Sequence, residues 1–209
     1  MNDAKLASMH DTVNPVTALT ADPDIWFEQK FSEHMQRWQT EKTPSMSIVV
    51  TKGTLDWAYP PFILASTAAA LGWEVALFFT FYGLDLLKKD LALKVSPLGN
   101  PAMPMKMPFG PRWFQAVNWK MPNAVMGNLP GFEAVATSLM KKTVRDKGVA
   151  SVEELREACL QSDVEMIACQ MTVELFGLST KDFIPEVREW VGAASFLPRA
   201  QQSDVSLFI

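Results

Sequence analysis

The chain has 209 residues, 48% of them hydrophobic, enough for one large core and too few for two average domains. Its 19 Lys and Arg against 23 Asp and Glu give a net charge of −4, and no basic run or stripe stands out, which argues against nucleic-acid binding. With only Cys159 and Cys169 a disulfide framework is neither needed nor suggested, so a thiol kept here is a candidate for reactivity.

The first residues, MNDAKLASMHDTVNP, are polar and hold no apolar stretch of signal-peptide length, which reads as a cytoplasmic protein. Residues 1–45 form an N-terminal extension. Its first 20 or so positions show no period and read as disordered. After them Ile25, Phe27, Phe31, Met35 and Trp38 recur at helical spacing, with Asp22 or Asp24 as cap. That helix docks on the domain surface or serves a partner or a membrane surface. Pro44 separates it from the body, residues 46–209.

SIVVTKG predicts a short strand ending in Gly, and the pair Pro60 and Pro61 can open a helix at its first turn, over about 60 to 71. Gly72 suits its C-cap, and a second strand follows over Glu74 to Phe81. Hydropathy alone would allow a membrane span here, since Ala58 to Trp73 is uncharged. Sixteen residues fall short of the roughly 20 that cross a bilayer, so a buried helix followed by a buried strand is the preferred reading. Short apolar strands separated by a helix predict an α/β fold with a three-layer arrangement, a parallel sheet with helices on both faces.

Between Pro97 and Pro130 the character changes: seven of the 14 prolines and five of the 12 methionines fall there, interleaved with Phe109, Trp113, Phe114 and Trp119. Such a stretch cannot be a regular helix or a central strand. It reads as an insertion loop, 97–130, packing on the domain or on a second subunit, or else as an adaptable apolar cover and docking surface. A thioether copper site is disfavoured, because no His or Cys lies near the P-x-M repetition.

Phe132 to Lys147 predicts an amphipathic helix stopped by Gly148, and Ser151 with Glu154 forms a capping-box signature for a helix ending near Gln161. VEMIACQ then predicts a third strand leading into a short helix, MTVELFGL, closed by Gly177. Lys181 to Val191 reads as helical or partly extended, and VSLFI as a final buried strand.

Few residues can carry chemistry. His10 and His34 both sit in the extension, so a Cys–His dyad, a Ser–His–Asp triad and a zinc site lack their parts. No phosphate-binding glycine motif is present. Glu153 with Glu154 and Glu186 with Glu189 read as solvated faces. Cys169 differs by its place, at the carboxyl end of a buried strand and the entrance of a helix, where ligands bind in open α/β sheets. Free N–H groups and the positive end of the helix dipole favour a thiolate there. The same position also suits an inert core cysteine, and both readings stand on context alone. Cys159 lies inside a helix among Glu153, Glu154 and Glu157 and reads as an ordinary helix-face thiol or an accessory one.

The block IACQMTVELFGL, preceded by SVEELREACLQSDVE and followed by VSLFI, closely resembles the DsrE/DsrF-like family, in its larger branch sometimes labelled peroxiredoxin-like. The resemblance runs from about Met46 to Ile209 and includes SIVVTKGTLDWAYPPFILASTAAALGWEVALFFTFYGLDLLKK and the Pro/Met-rich insertion. It implies an oligomeric DsrE-like fold and a sulfur carrier in a cytoplasmic relay. The family's sulfur-bearing cysteine falls on Cys169, by its match to the C-Q-M block, and nothing comparable is implied for Cys159. The resemblance further implies TusA-like carriers and rhodanese-type sulfurtransferases as partners and a homo-oligomer; the residues themselves lead to the expectation of no cofactor and no metal. Members of this branch are often read as membrane-associated on hydropathy, which keeps a peripheral membrane contact in view. Two competing functions remain, a thiol-dependent reductase or peroxidase and a membrane-linked scaffold for sulfur-oxidation enzymes.

Overall fold

The computed structural model describes residues 22–96, 110–117 and 130–209. The chain divides into two compact units, Met1–Thr43 and Pro44–Ile209. In the first, the described residues form one helix, α1 (Pro23–Glu41). Proline at the first helical position costs no hydrogen bond, and Asp22 is the cap: its Oδ1 accepts from the Asp24 N–H at 3.1 Å and its carbonyl from the Trp26 N–H at 3.0 Å. Ile25, Trp26, Phe27, Phe31 and Met35 are all exposed. The expectation of disorder for the first 20 residues falls outside the described residues, as do the side chains of Trp38 and His10.

The second unit is built on a five-stranded sheet of order β4-β3-β2-β1-β5 with every pairing parallel. Its strands are β1 (Ser45–Val50), β2 (Glu74–Phe79), β3 (Glu165–Cys169), β4 (Glu189–Val191) and β5 (Val205–Phe208). Between them run α2 (Leu55–Ala70), a 3-10 helix over Phe81–Leu87, the single turn α3 (Arg112–Gln115), α4 (Phe132–Asp146), α5 (Val152–Gln161), α6 (Gln170–Leu175) and α7 (Ala193–Gln202). Parallel neighbours require crossovers, and the helices provide them.

Alternation along the strands sorts the apolar residues onto two faces. Met46, Ile48 and Val50 of β1, Val75, Leu77 and Phe79 of β2, and Met166 and Ala168 of β3 pack with Leu55, Ala58, Phe62, Ala65 and Ala68 of α2 and with Val152 and Cys159 of α5. The opposite face gathers Ala76, Phe78, Ile167 and Cys169 under Phe196 of α7, whose ring stacks on Phe78 at 4.5 Å. Helices thus cover both faces, as the apolar strands require. Each fully buried Phe, Leu or Ile contributes roughly 1.5–3 kcal/mol of transfer free energy, and the larger cluster dominates.

Several expectations need correction. The helix after β1 starts at Leu55 with Thr54 as its cap, so Pro60 and Pro61 lie in its interior rather than at its first turn. The two prolines leave only the carbonyls of Asp56 and Trp57 without an i→i+4 partner, and Asp56 and Trp57 are not buried. The second strand stops at Phe79, and the 3-10 helix begins at Phe81, held by Arg156 Nη1 donating to Leu86 O (3.1 Å) and Lys88 O (2.7 Å). The stretch Lys181–Val191 is partly extended, in keeping with its reading, and ends in the edge strand β4. α7 fills the interval before β5, a helix that the residues around Pro198 did not announce. In the insertion, α3 supplies one turn of helix after Pro111, and the methionine-bearing segments lie outside the described residues.

Candidate functional site at the carboxyl end of the sheet

Cys169 closes β3 and is the N-cap residue of α6, so the strand-to-helix junction read from the sequence is present. Its backbone is extended (φ −74°, ψ 106°), and the residue is 2% exposed. By alternation its side chain lies on the α7 face with Ile167 and Phe78. Both readings of this thiol therefore hold in part: it is buried, and it is placed where the sheet's free strand ends lie.

Two threonines join it. The register Phe79↔Ala168 puts Thr80 opposite Cys169, and Thr80 is still extended, its N–H donating to Val50 O at 3.0 Å. Alternation turns Thr80 toward the same face as Phe78 and Cys169. Thr172, fully buried, sits three residues beyond Cys169, and its hydroxyl lies 3.1 Å from that of Thr80. The Phe81 N–H donates to Thr172 Oγ1 at 3.4 Å.

Burial works to raise the Cys169 thiol, but it is outweighed. The Thr172 hydroxyl and N–H, the Thr80 hydroxyl and the Met171 N–H favour the charged sulfur, and the thiol ends below its ordinary range. Cys159 is the opposite case: wholly buried on α5, its Sγ directed at Phe62 O (3.6 Å), it is pushed up to about 12 by burial alone. It is a core residue and not an accessory thiol beside Cys169.

Two loops frame the site. Gly53, after β1, lies so close to Tyr82 O that a Cβ would collide with it, and Gly83 stands in the same relation to Val50 O. Phe81, with φ +48°, makes the sharp exit from Thr80, and this left-handed backbone is unusual for an aromatic residue. Phe81 and Tyr82 contact Phe176, with ring centroids 6.4 and 5.9 Å apart, and all three are exposed. The sequence reading missed both threonines. The signal was present in the T three places after the C of CQMT, a capping-type spacing, and in the T that ends EVALFFT.

Elsewhere the polar candidates are accounted for. Ser151 and Glu154 form the expected capping box, at 2.7 and 3.2 Å. His34 lies on α1, in the other unit. Among the described residues no three His, Cys, Asp or Glu side chains converge on a metal-sized site, and no helix is long and apolar enough to cross a membrane.

Comparison with known proteins adds the following. A model of the DsrE/DsrF/DrsH-like family matches residues 42–208. The sulfur carrier protein DsrE2 of Allochromatium vinosum is 54% identical over 164 residues, covering 78% of this chain and 97% of that protein. The Bacillus subtilis (strain 168) protein YrkE is 28% identical over 170 residues, 81% of this chain and 99% of its own. The crystal structure of the Escherichia coli ychN protein aligns with a TM-score of 0.43 at 11% identity, over 80% of this chain and 100% of that one.

Proposed function

The chain belongs to the DsrE/DsrF/DrsH-like family, and on that footing we propose that it is a sulfur carrier whose transferable sulfur rides on Cys169. The observation that carries this reading is a thiol held below its ordinary range at the open end of a parallel sheet, in a chain 54% identical to a protein named as a sulfur carrier. The chemistry is two nucleophilic displacements. The Cys169 thiolate attacks the outer sulfur of a donor persulfide R–S–SH; the donor S–S bond breaks, R–S⁻ leaves, and Cys169–S–SH forms. An acceptor thiolate then attacks that outer sulfur, and the Cys169 thiolate leaves. No electrons are gained or lost overall, so no oxidant or reductant enters.

At 2% exposure the thiol is reached only when its surroundings give way, and exposed Phe81 and Met171 adjoin its two threonines in sequence. A sheltered sulfur suits a carrier, because a persulfide open to solvent is lost to any passing thiol. We further propose a cytoplasmic relay with rhodanese-type sulfurtransferases and TusA-like carriers as partners, a homo-oligomeric state, and the 97–130 insertion as the docking segment. A thiol peroxidase or reductase that resolved on a second thiol of this chain would need it within reach, and the placement of Cys159 speaks against that two-cysteine form. The test is mass spectrometry after incubation with a persulfide donor: the wild type gains one sulfur atom, removable by reductant, the Cys159→Ser protein gains it too, and Cys169→Ser does not. Loading of Cys169→Ser overturns the assignment.

A further inference from the structure

We propose that Thr80 and Thr172 act as one unit, a paired-hydroxyl cradle that holds the Cys169 sulfur as an anion and positions it, so that neither threonine is a packing residue alone. The inference rests on Cys169 as the reactive thiol and adds the groups that make it so. Thr172 Oγ1 accepts from the Phe81 N–H and shares a single hydrogen bond with Thr80 Oγ1. Whichever hydroxyl donates in that bond, the other hydroxyl hydrogen is left over. The β2–β3 register and the N-cap-to-N3 spacing of α6 bring both hydroxyls to the side chain of Cys169. A thiolate accepts the leftover hydrogen; a buried neutral thiol is the poorer acceptor.

Charge from elsewhere does not replace this device. The charged groups on the elements packed around Cys169 are Glu74 and Glu165, at the far ends of β2 and β3, Glu189 of β4, Glu174 of α6 and Arg199 of α7, with Asp85 in the 3-10 helix. Arg199 pairs with Glu165 and Glu189, Asp85 with Lys88 at 2.7 Å, and Glu174 accepts from Gln170 at 2.9 Å. The balance at the sulfur is therefore one of burial against hydrogen bonds, and Thr172 leads the donors.

The experiment is a pH titration of the thiolate by its ultraviolet absorbance, with Cys169→Ser as the blank; it needs no access to the thiol and no sulfur donor. Thr172→Val keeps the shape and removes the hydroxyl, and should move the midpoint up by on the order of one pH unit, about tenfold less thiolate at pH 7. Thr172→Ser restores the hydroxyl and should restore the midpoint. Thr80→Val should move it in the same direction, and provides the decision if Thr172→Val does not fold. An unchanged midpoint in the valine variants, or a shift in Thr172→Ser as large as in Thr172→Val, overturns the cradle. Failure of persulfide loading with these shifts intact would instead overturn the carrier reading and leave the cradle standing.

Discussion

Cys159 and Cys169 lie on opposite sides of one sheet. Cys159 packs among α2 and α5 with Phe62, whereas Cys169 shares the other face with Phe78 and Phe196. Ten positions apart in sequence, they are separated by a layer of strands, and their surroundings shift the two thiols in opposite directions from the ordinary value.

The first prediction follows from that separation. Near pH 7 Cys169 should be alkylated faster than Cys159, and oxidation should give no bond between them. Peptide mapping by mass spectrometry reads both outcomes. The stability effects have opposite signs. The folded Cys169 thiol is depressed, so it contributes stability above the value for a free thiol, lost as pH falls through its folded pKa. The folded Cys159 thiol is raised from 9.0 to about 12, so its contribution is complete below 9.0 and lost as pH rises toward 12. Cys159→Ala should therefore show a shallower alkaline loss of stability than the wild type in denaturant titrations. An equal slope would show that Cys159 does not carry the effect.

The second prediction concerns the cover over the site. Phe196, 3% exposed, stacks on Phe78 with its ring inclined by 13° and is the largest side chain that α7 contributes to this face. Phe196→Ala should cost about 3–5 kcal/mol in chemical denaturation. It should also speed alkylation of Cys169, since the same cavity opens beside the thiol. Stability lost with no change in Cys169 accessibility would mean that α7 does not shelter the sulfur.

The third prediction tests the two close backbone approaches. Gly83 packs against the carbonyl of Val50 and Gly53 against that of Tyr82, locking the exits of β1 and β2 to each other. Neither glycine has a positive φ, so the constraint is space and not backbone conformation. Gly83→Ala should be destabilising by more than the roughly 1 kcal/mol of an average substitution, and should displace Thr80 enough to raise the Cys169 midpoint. A variant as stable as the wild type would show that the loops part at little cost.

Much of this was legible in the residues. β1, β2, β3 and β5 were found because short, largely apolar runs between turn signals leave few alternatives, and the Ser151–Glu154 box was found because capping is local. Cys169 was found as the junction of a strand and a helix. The rest was not local. β4 has three residues, too few for a period to show, and α7 carries Pro198, which argues against a helix until Phe196 finds Phe78. The start of α2 was hidden by Pro60 and Pro61, whose usual place is a first turn. The threonine pair joins residues 92 positions apart, and only the β2–β3 register makes them neighbours.

The pairing of β1 with β5 has a consequence for how the protein is made. Ser45 N–H donates to Asp204 Oδ2 at 2.9 Å across 159 positions, and Met46 to Val49 pair with Val205 to Phe208. On the ribosome β1 emerges early, yet its partner on that side is synthesised only at the end of the unit. Until then Ile48 and Val50 border an open strand edge, the kind of surface to which other chains add. The nascent chain is thus most vulnerable to aggregation before residues 205–208 arrive, and the long separation of the pairing strands makes sealing this edge a slow step.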